Sequence, residues 1–385
     1  MGAIPTKRRN EIQWLRAIAA CEVVVCHTDV VVKHFSVEQL IMNRWYHPLA
    51  GVGVELFFVI SGYIMCMRAP VIGSFTSFIG SRITRIYPMY WLFTTMVLIT
   101  AVVIPAWRLG NFTENFATLA RSYLILPGWG YPVLQMGWTL EYEMTFYLLV
   151  TLVMALGMTR GRQLTTFALV LACLGCIGCA IGPRSEGSAL QYHVLTPYMF
   201  AFGAGWLFRS IERAQWPIQA SSIALFAAVA AVAVWAGPDW DDRVVFRITF
   251  AALVVSVFLI GRKIFQAENA LNRGLWLVGD ASYSIYLSHW FVLSASGKSL
   301  GALVVPPGMD WIARIVSFVL CVVLGIAVFR LIEQPLDRRL HKRAPGIKPQ
   351  PGCRAVITRM NDDDRSLDET TNCGRAKTAV RVIAP

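Results

Sequence analysis

The chain has 385 residues, of which 56% are hydrophobic and 15% charged, and carries a formal net charge of +12. A soluble domain carries roughly a quarter charged residues, so an ordinary soluble fold is excluded. The basic residues are spread over many short segments instead of one face, which weighs against nucleic-acid binding.

Apolar stretches of about 17 to 22 residues recur from Ile12 to Ile332, long enough to cross a ~30 Å hydrocarbon core as helices. The expected fold is therefore an all-α polytopic membrane protein, with about ten transmembrane helices around an intramembrane cavity. The spans are expected at 12–32, 48–67, 88–106, 136–157, 164–182, 195–208, 217–236, 244–260, 280–300 and 311–332. With the N-terminus inside, segments on the inner side up to Arg343 hold eighteen Lys and Arg, and the opposite loops hold seven. That asymmetry predicts both termini in the cytoplasm. The first apolar segment carries Arg16 and Glu22, unlike the short clean core of a cleavable signal. Three regions are expected: a cytoplasmic segment 1–11, a membrane domain 12–340 and a disordered cytoplasmic tail 341–385.

In the first span, Arg16 and His27 stand eleven residues apart, almost three helical turns, and so project from nearly one face about 16 Å apart along the axis. A buried arginine costs at least ~2.5–3.5 kcal/mol to insert, which marks it as a functional candidate. His27 changes charge near neutral pH and suits general-base work; the bland reading is a hydrogen bond to a neighbouring helix. Glu22 and Asp29 make the same span unusually polar. In the second span, Gly51, Gly53 and Gly62 suit close packing, and Glu55 has no assigned role.

The stretch Arg68 to Pro88 reads as an inner loop before the third span. Its Arg82 and Arg85, three residues apart, present neighbouring guanidinium groups if helical. The outer loop Trp107 to Gln135 is rich in aromatic and amide side chains, which suit either a sugar ring or an interfacial belt. The fourth span places Thr139, Glu143, Phe146 and Tyr147 on one face, with Glu141 elsewhere. Glu143 is a candidate to orient His27, or else a partner of an intramembrane arginine.

Cys173, Cys176 and Cys179 repeat every three residues, but among glycines and apolar neighbours they read as packing, and no metal site is expected. Ser282, Tyr286 and His289 form one stripe of the ninth span, expected to wall a cavity.

These blocks, taken in order, resemble the membrane-bound acyltransferase 3 family, and most closely its rhizobial-type exopolysaccharide O-acetyltransferases. The resemblance covers about residues 10 to 340. It rests on Ile12-Gln13-Trp14-Leu15-Arg16-Ala17 leading to His27, on Gly53-Val54-Glu55-Leu56-Phe57-Phe58-Val59-Ile60-Ser61-Gly62 and on Arg82-Ile83-Thr84-Arg85-Ile86-Tyr87-Pro88. Gly137-Trp138-Thr139-Leu140-Glu141-Tyr142-Glu143-Met144, Ser282-Tyr283-Ser284-Ile285-Tyr286-Leu287 and Ile332-Glu333-Gln334-Pro335 complete it.

The resemblance implies a multi-pass enzyme of the bacterial inner membrane that moves an acyl group, usually acetyl, from coenzyme A to a carbohydrate hydroxyl. Arg16, His27 and Glu143 then match its catalytic positions. Arg82 and Arg85 match the pair suited to the phosphates of acetyl-CoA. Acceptor-binding residues are not identified. The implied partners are acyl-CoA, a polysaccharide or oligosaccharide acceptor and the lipid bilayer. Glu22 departs from the family, which usually has an apolar residue there. A proton-coupled transporter is the rival class, since relays also use intramembrane Arg, His and Glu. A scaffold in a polysaccharide assembly complex is a third. Within the enzyme reading, the acceptor is an exopolysaccharide or its lipid-linked precursor, or alternatively a lipochitooligosaccharide, a glucan, a lipopolysaccharide sugar or an antibiotic.

Overall fold

Asn10 to His27 winds into α1, and after Thr28 the chain continues through the short α2, Asp29–Val32. The computed structural model describes residues 9–33, 49–72, 74–107, 109–110, 115–159, 162–181, 188–213, 242–301 and 309–343. The helices that follow are α3 (Val52–Ile72), α4 (Phe75–Val103), α5 (Phe116–Tyr123), α6 (Trp138–Ala155) and α7 (Arg162–Ile181). The series continues with α8 (Ala189–Val194), α9 (Tyr198–Arg213), α10 (Asp242–Ile260) and α11 (Ala270–Asp280). It closes with α12 (Ser282–Gly301), α13 (Asp310–Val328) and α14 (Gln334–Arg343), the last two joined by a π-helical turn, Phe329–Glu333. Among the described residues there is no strand.

Each expected span among the described residues overlaps a helix, the first being divided at Thr28 between α1 and α2; span 217–236, segment 1–8 and tail 344–385 lie outside them. Among the described residues, four helical stretches are long and apolar enough to cross a membrane: Val52–Ile72, Phe75–Val103, Arg162–Ile181 and Asp310–Leu340. The α1 helix is continuous, but its apolar run is broken by Glu11, Arg16 and Glu22.

The segment before the third span departs from expectation. Arg82 and Arg85 lie within α4, a 29-residue helix that runs through Pro88 instead of starting there. A proline deprives the carbonyl four residues earlier of its donor. Here that residue is Thr84, which is exposed, so the unpaired carbonyl is not trapped in the core.

The tightest packing joins α3 to α9. A Cβ on Gly62 would lie 2.0 Å from the Phe202 carbonyl oxygen, and one on Gly205 would lie 1.8 Å from that of Val59. Only glycine permits backbones to approach so closely. Around this seam Phe146 stacks on Phe202 at 4.2 Å, and Trp206 is fully buried, donating to the Leu164 carbonyl. Glu212 ties one end of the bundle together. It accepts from Arg9 before α1, from Tyr63 on α3, from Arg209 on its own helix and from Arg262 beyond α10. On α7, Cys173 and Cys176 are exposed, whereas Gly175 and Gly178 face Phe200 and Thr196.

Candidate active site

Two cavities open between these helices. The first, about 390 Å³, is walled by Arg16 of α1, Arg68 of α3, and Arg82 and Arg85 of α4. Its size falls in the range of small-molecule sites. The Arg-x-x-Arg spacing brings Arg82 and Arg85 to the same cavity, as helical periodicity requires. Their surroundings differ, however.

Arg85 forms an ion pair with Glu333 at 2.7 Å, and its guanidinium lies 5.9 Å from the Tyr283 ring centroid. Glu333 is buried in the π-helical turn, where its other carboxylate oxygen accepts from the Ser284 hydroxyl. Arg82 instead donates to the Ser81 hydroxyl at 3.3 Å. Among the described residues, Arg16, Arg68 and Arg82 make no ion pair with a carboxylate. Clustered cations with unused donors are suited to a multiply charged anion.

Glu143 belongs to this same wall. Its Oε1 accepts from Ser61 at 2.9 Å and from the Tyr147 hydroxyl. The expectation that Glu143 orients His27 therefore does not hold: they border different cavities, and the carboxylate turns towards α3 and its own helix. Thr139 and Tyr147 face the cavity with it, while Phe146 turns into the core.

The second cavity, about 630 Å³, holds His27 beneath aromatic walls. Trp129, Tyr131 and Gln135 come from the segment between α5 and α6, and Tyr142, Tyr192 and Tyr198 from α6, α8 and α9. His27 Nδ1 lies 2.7 Å from the Val23 carbonyl oxygen. A carbonyl only accepts, so Nδ1 carries the proton, and neutral His27 keeps its lone pair on Nε2. That is the form a general base requires.

His289 packs beside His27 with ring centroids 5.1 Å apart, and Trp290 meets His27 edge-on at 5.6 Å. His289 is itself fully buried, with Nδ1 2.6 Å from the Tyr286 carbonyl oxygen. Val54 and Tyr286 border both cavities and so stand at their junction. The Tyr286 hydroxyl is fixed by Thr139 at 2.7 Å and the Met136 carbonyl at 3.0 Å.

Glu22, Glu55 and Glu333 each have partners that the sequence did not reveal. Glu22 accepts from the backbone N–H groups of Gly51 (3.0 Å) and Gly53 (2.7 Å), and so caps the start of α3 from α1. Such N–H groups have no partner within their own helix, and a carboxylate there also meets the positive end of the helix dipole. Glu55 is buried rather than solvated, and pairs with Arg247 of α10 at 2.8 Å. The third, Glu333, holds Arg85; the only sequence hint was its place in a motif that closes a long apolar helix.

Residues 9–330 match the family described as an acyltransferase domain, Acyl_transf_3. The chain belongs to this acyltransferase family. It is 31% identical over 314 residues to the exopolysaccharide production protein ExoZ of Rhizobium meliloti (strain 1021), covering 76% of this chain and 92% of that protein. BcsY of Komagataeibacter xylinus, provisionally named a membrane-bound transacylase, is 26% identical over 314 residues, covering 74% of this chain and 73% of that one. The acyltransferase MdmB of Streptomyces mycarofaciens is 27% identical over 152 residues, 37% of this chain and 38% of its own. No solved structure gives a significant match. Apart from Asp337, all residues lining the two cavities fall within the acyltransferase domain.

Proposed function

We propose that the protein is an integral membrane O-acyltransferase that moves an acyl group, acetyl in the first instance, from acyl-CoA to a hydroxyl of an exopolysaccharide or its lipid-linked precursor. The observation that carries this reading is the pair of cavities meeting at Val54 and Tyr286, one lined by arginines and the other by aromatic rings around His27. The similarity to a protein named for exopolysaccharide production supports the choice of acceptor.

On this reading, Arg16, Arg68 and Arg82 hold the phosphates of the donor, and Arg85 contributes what Glu333 leaves free. The pantetheine arm brings the thioester to that junction. A sugar ring enters the other cavity, where aromatic faces suit its apolar side. His27 Nε2 takes the proton of the acceptor hydroxyl as that oxygen attacks the thioester carbonyl. The new C–O bond forms, the C–S bond breaks, and the departing CoA thiolate is reprotonated from the imidazolium. Basic residues weighted to one side support cytoplasmic termini, with the domain spanning 12–340 in the inner membrane and acyl-CoA bound from the cytoplasm.

The test uses the full chain in detergent micelles, with acetyl-CoA and secreted polysaccharide stripped of its esters by mild alkali. Wild-type protein should release CoA and restore O-acetyl signals in the proton NMR spectrum of the polysaccharide. His27→Ala should abolish both while remaining folded. Activity within tenfold of wild type in that variant would refute the base, because general-base catalysis contributes about 10²–10⁴-fold. Solute flux into proteoliposomes without CoA release would instead support a transporter.

A further inference from the structure

The aromatic cavity contains a carboxylate–imidazole pair, Glu141 and His193, to which the mechanism above gives no part. Glu141 is buried on α6. Its Oε1 accepts from Arg121 Nη1 at 3.3 Å, and its Oε2 lies 3.1 Å from His193 Nε2. His193 Nδ1 is 2.7 Å from the Ala189 carbonyl oxygen and must donate to it. A neutral imidazole would then face the carboxylate with a lone pair, so the Nε2–Oε2 bond requires one further proton held by the pair. Both oxygens of Glu141 are thus engaged, which removes it from direct chemistry. Its position says what it does instead.

Arg121 and His193 belong to the two arms that wall the cavity. Arg121, on α5, lies against the loop that follows. A Cβ on Gly128 would sit 1.4 Å from its Nη1, so the guanidinium occupies the space that any side chain there would need. That loop delivers Trp129 and Tyr131 to the cavity. His193, on α8, carries its neighbour Tyr192 into the opposite wall and stacks on Tyr142 at 4.4 Å. The arms meet where Trp129 and Tyr192 approach to 5.4 Å between ring centroids. Below that contact, both are anchored to the same carboxylate.

We propose that Glu141 is a positioning residue for the sugar acceptor: through Arg121 and His193 it sets the distance between the Trp129 and Tyr192 walls, and so the pose in which a ring presents its hydroxyl to His27. This rests on the reading that the acceptor enters the aromatic cavity. The donor binds on the other side of the Val54–Tyr286 junction, so its affinity should not respond.

Full-length variants are compared in micelles with acetyl-CoA and the alkali-treated polysaccharide. Glu141→Ala should raise the acceptor KM about tenfold or more, the effect of losing a hydrogen bond to a charged group, with the KM for acetyl-CoA within about twofold of wild type. Glu141→Gln should restore the acceptor KM to within about threefold, because its amide oxygen still accepts from Arg121 and its N–H donates to the His193 lone pair. Arg121→Met, which frees one arm only, should raise the acceptor KM alone and covers the case in which Glu141→Ala fails to fold.

An unchanged acceptor KM in Glu141→Ala or Arg121→Met, or a parallel rise in both KM values, would overturn the proposal. So would Glu141→Gln behaving like Glu141→Ala. A wild-type protein that transfers nothing to this acceptor would instead bring down the exopolysaccharide reading on which the proposal rests.

Discussion

Glu22 offers a sharp test of how the two cavities are held in register. Its carboxylate reaches from α1 to accept from the Gly51 and Gly53 N–H groups at the start of α3. Hydrogen bonds to a charged group are worth roughly 1.5–3 kcal/mol each, and the low end suits a site that is only partly buried. Replacing Glu22 by alanine removes both bonds and the charge at the helix terminus. The expected loss is about 3 kcal/mol of unfolding free energy. Glu22→Gln keeps one acceptor oxygen, whose neutral hydrogen bond retains about 1 kcal/mol, and should lose about 2 kcal/mol. Unfolding in mixed SDS and maltoside micelles, followed by tryptophan fluorescence, measures the difference. Val54 follows the capped residues and borders both cavities, so turnover should fall in the same order. A loss below about 1 kcal/mol in Glu22→Ala, or equal losses in both variants, would refute the capping role.

The two arginines of the Arg-x-x-Arg pair should respond differently. Arg82→Ala should raise the KM for acetyl-CoA without lowering stability, since its own protein contact is one hydrogen bond to Ser81. Arg85→Ala strands the buried Glu333 carboxylate and should cost about 3 kcal/mol of stability as well; kinetics and unfolding on the same preparations separate the effects. Gly205→Ala drives a methyl group into the Val59 carbonyl and should destabilise the α3–α9 seam by about 3 kcal/mol, read from the same unfolding assay.

The part of the site legible in the sequence was the part carried by single helices. Arg16 and His27 are related only by helical rise and twist, so their eleven-residue spacing already fixed their separation and shared side of α1. The same holds for Arg82 and Arg85. Contacts between helices follow another rule, because rotation and offset are set by packing such as that of Gly62 on Phe202. For this reason the sequence does not show that Glu143 bonds to Ser61 and Tyr147, that Glu333 pairs with Arg85, or that His289 lies against His27. Pro88 misled in a different way, since a proline usually marks a helix boundary. Here the carbonyl it leaves unpaired belongs to an exposed residue, and the helix runs on. Glu141 was correctly placed off the Glu143 face, but its partners come from α5 and α8, short helices without the apolar periodicity that reveals a span.

The junction between the cavities bears directly on the proposed chemistry. An open channel would let water reach a thioester poised for attack, and excluding water is part of what makes such a site selective for its acceptor. On the proposed reading, the two residues that border both cavities mark the short step for the acyl group, with CoA and polysaccharide each on its own side. These two residues are not equivalent. Tyr286 is held by hydrogen bonds to Thr139 and to the Met136 carbonyl, whereas the apolar Val54 side chain can form none and follows the start of α3. Any opening wide enough for the thioester is therefore expected on the Val54 side, where Glu22 sets the position of the helix.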